Sequence, residues 1–222
     1  MQEKKDLEIA KKFDIDIKAL EQEQMKLAKA LNLKDSFDTE NIITVAGVDI
    51  ISLGNKLIVG IVVMEEGEIV EQKFCTEKAS FPYVSGFRAY RELPAIISCF
   101  ESLENKPQLI FIKGHGTSHP RKMGIASHLS LSVNLPVIGV ADELIAGVGQ
   151  VEKDNIILDG EVVGKLVHVK EGARPLYVSP GNLISIETSA EFVKKSVKEP
   201  HKLPEPLRLA RNLVKKVLRE LH

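Results

Sequence analysis

The sequence predicts an α/β domain built on one mixed β-sheet flanked by helices, and three observations predict it. "IITVAGVDI" (42–50), "KLIVGIVVME" (56–65) and "EIVEQKFCTE" (68–77) are strand-like runs joined by short turns, which makes them an antiparallel meander. "QLIFI" and "PVIGVA" are continuous apolar runs on either side of a helical segment. That is the pattern of a β–α–β unit whose parallel strands are covered on both faces. Segments with helical apolar spacing lie before, between and after these strands.

In chain order, the first forty residues read as helix. Ile17, Leu20, Leu27, Ala28 and Leu31 recur at near-helical spacing, interrupted only by Gln24. "NLKDSFDTEN" is a polar connector to the meander, whose second turn is Glu66-Gly67. "FPYVSGF" breaks the pattern with Pro82 and Gly86, and a helix fits 88–103 with Leu93, Ile96, Ile97 and Phe100 on one face. After the first parallel strand come a glycine turn, a helix over roughly 121–133 and the second parallel strand. Residues 148–160 read as a hairpin, and 161–170 and 175–181 as strands. A helix starts near Ser185 or Thr188, and a C-terminal helix has Pro206 near its entrance. No repeat, low-complexity tract or long linker divides the chain. A single domain over 1–222 is expected, with the helical segment 1–40 packed on it.

Composition narrows the function classes. Thirty basic and 31 acidic side chains give a formal charge of −1, which excludes a strongly basic histone-like binder but not a local basic groove. The longest apolar runs fall well short of the ~18–20 residues of a membrane span. The charged N-terminus has no apolar signal core. Cys75 and Cys99 have no metal-ligand spacing, as suits a reducing interior. A cytoplasmic protein without a membrane partner is the expectation.

Four places could carry chemistry. Asp49 ends the apolar run "TVAGVD", and Glu92 sits early in a helix. Taken singly they read as a turn former and a solvated helix face; converging on one site, they could bind Mg²⁺ through oxygen. In "KGHGTSHPRK", Gly114 and Gly116 let the backbone approach a ligand, and Thr117 and Ser118 add hydroxyls. His119, Arg121 and Lys122 offer a phosphate-binding patch, while the plainer reading is a polar-capped βα turn. Tyr83, in a proline/glycine loop, can wedge between bases or simply pack the loop down.

These segments together resemble the endonuclease V family, metal-dependent nucleases that act on deaminated purines, chiefly inosine, in DNA or RNA. The matching stretches are "VAGVD", "FPYVSGFRAYRELP", "GHGTSHPRKMGIASHL", "LPVIGVA", "EGARPLYVSPG" and "LPEPLRLA", in family order from about residue 15 to the C-terminus. The resemblance implies a ribonuclease H-like fold, a DNA-repair type of role, and a Mg²⁺- or Mn²⁺-dependent cut at the second phosphodiester 3′ of the lesion. It places metal ligands at Asp49 and Glu92 and a base-wedging loop at Pro82–Gly86. It also places a flipped-base pocket at Gly86, Gly114 and Gly116, and the family's histidine at His119.

Departures fall at the chemistry. Lys113 stands where the family has a metal-binding aspartate, Asp142 where it has a lysine beside the scissile phosphate, and Arg211 where it has a histidine. Ser85 replaces the usual proline of the wedge. Two main expectations follow. In the first, Lys113 and Asp142 pair, the metal site is closed, and the protein binds inosine-containing strands with cleavage weak or lost. Tyr83, the glycines, His119, Arg121, Lys122 and Arg211 then make the contacts. In the second, Asp142 joins Asp49 and Glu92 as a third carboxylate, Lys113 neutralises phosphate, and the protein is an active nuclease. A non-catalytic protein-interaction scaffold is a third reading.

Overall fold

Turn chemistry organises the first sheet strands of the computed structural model, which describes residues 2–145 and 148–221. Strands β1 (Thr44–Leu53), β2 (Lys56–Glu65) and β3 (Glu68–Lys78) pair antiparallel in succession. The β2–β3 turn has φ +49° at Glu66 and +88° at Gly67, the doubly positive pair of a two-residue type I′ hairpin.

β4 (Leu109–Lys113) lies parallel to β1. β5 (Val137–Ala141) lies parallel to β4 after a crossover through helix α4 (Ile125–Val133). The antiparallel strands β6 (Gln150–Glu152), β7 (Asn155–Leu158), β8 (Glu161–Val167) and β9 (Leu176–Pro180) complete a nine-stranded sheet of order β3-β2-β1-β4-β5-β9-β8-β7-β6. The remaining helices are α1 (Gln2–Lys12), α2 (Ile17–Ala28), α3 (Arg88–Glu101), α5 (Ile186–Ser196) and α6 (Glu205–Glu220).

Alternation along the central strands divides the core in two. Ala46, Val48, Ile50, Ile110 and Ile112 point to one face and pack with Ala95, Ile96 and Cys99 of α3 and with Ile125, Ala126 and Leu129 of α4. Leu109 and Phe111 point to the other, with Ile138, Val140 and Val178, under Ala190 and Val193 of α5 and Leu207 of α6. Burying each such side chain stabilises the fold by about 1.5–3 kcal/mol. Helix α6 also covers β1 and β2 very closely. A Cβ at Gly47 would stand 2.1 Å from the Pro206 carbonyl carbon, so only glycine admits the helix there.

Two expected elements differ. The N-terminal forty residues form two helices broken at Asp14 (φ +53°), and 31–43 is not helical. The helix expected from 121 begins at Ile125, because 119–124 is a turn. Gly124 N donates to Gly116 O at 3.0 Å, and Lys122 takes φ +53°. Ser185 is confirmed as the α5 cap, accepting from Thr188 N at 3.1 Å. Among the described residues no helix is long and apolar enough to cross a membrane.

Candidate nucleic-acid interface

The C-terminal ends of β4 and β5 gather the charged residues. Neighbours Val48 and Ile50 point into the α3/α4 core, so strand alternation turns Asp49 to the α6 face. It is 7% exposed, and its Oδ1 accepts from Ile50 N at 2.9 Å. Burial pushes its carboxyl above the usual range, and Arg88, Arg211 and Lys113 pull it partly back. Glu92 reaches in from α3, also buried, with Arg88 Nε donating to its Oε2 at 2.6 Å. Burial raises this carboxyl too. Arg88 and Arg91 oppose the rise, and the charge of Asp49 adds to it, so the two carboxylates share one field. Arg88 also donates to the Lys113 carbonyl at 3.0 Å, tying α3 to the end of β4.

Lys113 closes β4, and Asp142 directly follows β5, its parallel neighbour. Lys113 Nζ donates to Asp142 Oδ2 at 2.5 Å, and Lys202 Nζ stands 3.6 Å from Oδ1, so both oxygens of Asp142 face ammonium groups. Burial pulls Lys113 below the usual lysine range, although Asp142 opposes this. At Asp142 burial pushes upward, but Lys113, Lys202 and Arg211 together outweigh it and hold the carboxyl below its usual range. Arg211, half-buried on α6, acts on Asp49, Lys113 and Asp142 electrostatically. It has no hydrogen-bond or ion-pair partner among the described residues.

This donor set does not fit Mg²⁺ in the manner the resemblance implies. Among the described residues no group of three or more His, Cys, Asp or Glu is arranged to hold a metal ion. Asp49 and Glu92 act on one another electrostatically, but Lys113, where the resemblance implies a third ligand, presents an ammonium. Unit charges ~4 Å apart at an effective dielectric near 20 interact by roughly 4 kcal/mol, and exchanging a carboxylate for an ammonium reverses the sign of that interaction.

Beside the charged cluster, the 81–87 loop carries Tyr83, 57% exposed, next to the buried Val84. Tyr83, Gly86, Arg88, His115, His119 and Glu143 are among the walls of a cavity of about 390 Å³, within the size range of small-molecule sites. Gly86 takes φ +78°, and a Cβ there would stand 2.7 Å from Arg121. Gly114 and Gly116 are not in this wall. A Cβ at Gly114 would stand 2.6 Å from the Ile125 side chain and 2.9 Å from that of Arg88, and one at Gly116 would stand 2.0 Å from Pro180 O, so Gly114 makes room for side chains and Gly116 for backbone. Burial depresses His119 to about 3, so at neutral pH it is an uncharged hydrogen-bonding group. Arg121 and Lys122 are committed to partners within the protein. Arg121 contacts Gln24, Glu21 and Gly86, and Lys122 pairs with Glu161 at 2.6 Å. A larger cavity, about 760 Å³, between the 39–45 connector, α5 and the start of α6 shares none of these residues.

The family model described as Endonuclease V matches residues 25–212. Curated endonuclease V proteins of Dictyoglomus thermophilum and Thermosipho melanesiensis are 37% and 34% identical over 204 and 203 residues. They cover 88% and 87% of this chain and 88% and 89% of their own. The chain belongs to the endonuclease V family. Endonuclease V of Bacillus subtilis superposes with a TM-score of 0.82 at 29% identity, covering 95% of this chain and 97% of that one. Ciona intestinalis endonuclease V, in complex with a 24-mer DNA containing an inosine followed by a ribo-adenosine, superposes at 0.83 with 27% identity, covering 93% and 99%. The fold is therefore ribonuclease H-like, and the family is one of metal-dependent nucleases, generally with Mg²⁺.

From the sequence, no site role fell to Gln24, Arg88, Lys202, His115 or Glu143. Arg88 carried a usable sign, since it lies four residues before Glu92 on one helix face. Gln24 carried another, a polar residue at a core position of an amphipathic helix. Lys202 lies 60 residues from Asp142 with no local pattern to connect them.

Proposed function

We propose that this protein is a reader of inosine-containing nucleic acid within the endonuclease V family, binding without a catalytic metal and with cleavage weak or lost. The observation that carries the reading is the cavity beside Tyr83, adjoining a cluster in which Lys113 occupies the third ligand position. An extruded base would enter the cavity, and Tyr83 would fill or stack against the gap it leaves. Arg211, without a carboxylate partner among the described residues, would meet the backbone phosphates. Relatives solved with inosine-containing DNA support the class of ligand. The alternative, in which Asp142 serves as a metal ligand, finds less support, because both of its oxygens already face lysines.

The test is fluorescence anisotropy with labelled strands, DNA and RNA, carrying one inosine or one guanosine, in EDTA or Mg²⁺, with a parallel gel for nicking. Inosine-selective binding that survives EDTA, without nicking in Mg²⁺, is expected. Mg²⁺-dependent nicking beyond the inosine would replace this reading with that of a working nuclease. Equal binding of both strands would remove the inosine assignment.

A further inference from the structure

Gln24 is 1% exposed, yet its neighbours on α2 are half-buried or exposed. A buried amide is costly unless its donors and acceptor are paired, and here all of them are. Arg121 Nε only donates, so it fixes the orientation of the Gln24 amide, whose Oε1 accepts at 2.5 Å. Nε2 then faces the Gly86 carbonyl at 3.2 Å, the Met123 carbonyl at 3.4 Å and His128 Nε2 at 3.5 Å. Arg121 continues the network. It also donates to Gly86 O at 3.2 Å, lies over the Phe87 ring at 4.7 Å and pairs with Glu21 of α2 at 3.2 Å.

The Gly86 carbonyl thus accepts from two side chains, one on α2 and one on the 119–124 turn. Phe87 N donates back to Val84 O at 3.1 Å, so this peptide anchors the loop that presents Tyr83. Gln24 also lines the cavity, but with its amide saturated it has no hydrogen bond left for a ligand.

We infer that Gln24 is a positioning residue for base recognition, holding the Gly86 carbonyl, and with it the Tyr83 loop, against the cavity through Arg121. Helix α2 is then part of the recognition site, joined to the loop through the Gln24 amide and through the Glu21–Arg121 pair. The inference rests on the inosine-binding reading above and names the residue that makes it selective.

The experiment measures binding of matched single-inosine and single-guanosine strands in EDTA, with thermal unfolding alongside. The variants are Gln24→Met, Gln24→Glu and Gln24→Met combined with Arg121→Met. Gln24→Met takes away the acceptor of Arg121 Nε and one of the two side-chain donors to Gly86 O; inosine preference should fall about tenfold or more, while guanosine-strand affinity stays within about twofold. Gln24→Glu returns an acceptor to Arg121, which keeps the carboxylate ionised, but sets an oxygen against Gly86 O. Both stability and preference should fall, because the new oxygen also faces the Met123 carbonyl. The double variant removes the Arg121 Nε donor left without its Gln24 acceptor and should recover thermal stability without recovering preference, which a merely structural role for Gln24 would not produce. Unchanged preference in Gln24→Met or Gln24→Glu overturns the inference. Absence of preference in the unsubstituted protein overturns the inosine reading itself, and the inference with it.

Discussion

Lys113 and Asp142 meet at 2.5 Å across the ends of two adjacent parallel strands, and each carries the charge opposite to the one the family resemblance puts at its position. The pair conserves the total charge of the site while moving the carboxylate to a place where Lys202 also claims it. The strand register makes the exchange physically possible, because Lys113 lies opposite Val140, two residues before Asp142.

Reversing the exchange should therefore create a cation site. Lys113→Asp with Asp142→Lys sets a third carboxylate beside Asp49 and Glu92 and keeps the local charge balance. In saturating Mg²⁺ the double variant should gain about 2–3 kcal/mol, the linkage expected at ~100 times Kd. That corresponds to a Tm rise of roughly 5–10 °C for a chain of this size. The unsubstituted protein should not respond. Thermal scans with and without Mg²⁺ read this directly, and equal responses would show that Lys113 does not close the site.

The raised carboxyls of Asp49 and Glu92 make a second prediction. A carboxyl whose folded pKa exceeds its unfolded value binds protons more tightly in the fold, so its ionised form costs stability at higher pH. Asp49→Asn keeps the acceptor for Ile50 N and removes the buried charge. Its Tm at pH 7–8 should rise by about 2–4 °C, the response to ~1 kcal/mol. The advantage should shrink as pH falls through the folded pKa toward the ordinary aspartate value. A loss of stability at pH 8 would mean that Arg88, Arg211 and Lys113 more than compensate the burial.

The sheet was legible because period-two alternation, the Glu66-Gly67 turn and the two apolar parallel strands each act locally, within a few residues. Asp49 and Glu92 were legible as candidates for the same reason, one at a strand and one on a helix. What joins them was not. The Lys202 contact to Asp142 spans 60 residues and the Gln24 contact to Gly86 spans 62, and no periodicity encodes which side chains meet when distant elements pack. Arg121 and Lys122 show the converse. As sequence they are two cations in a polar turn, but tertiary packing gives each a carboxylate and leaves Arg211, on a distant helix, without one among the described residues. Gly116 is similar, read as a ligand-approach glycine yet set against the Pro180 carbonyl.

Buried histidines predict acid sensitivity. Burial lowers His119 to about 3 and His128 to about 4, below the unfolded value of 6.5. In that window the unfolded chain binds more protons, so stability rises with pH and levels off above 6.5. Each group contributes up to about 1.4 kcal/mol per pH unit. Replacing His128 with Gln, which retains a partner for Gln24, should reduce the loss in urea stability between pH 6.5 and 5 by roughly 1–2 kcal/mol. An identical pH slope in the variant would mean that His128 protonates freely in the fold.

Tyr83 separates binding from folding. Its ring is more than half exposed, its hydroxyl makes no hydrogen bond among the described residues, and Val84 beside it does the packing. Tyr83→Ala should therefore change stability by no more than ~0.5 kcal/mol, the range for exposed sites. If the ring stacks on bases or fills the gap left by an extruded one, the same change should weaken binding of inosine-containing strands by about 1–3 kcal/mol, roughly 5- to 150-fold. Anisotropy titration and thermal unfolding of one preparation measure both. A binding loss matched by an equal stability loss would return Tyr83 to a packing role; a binding loss alone makes its ring a contact to the bases.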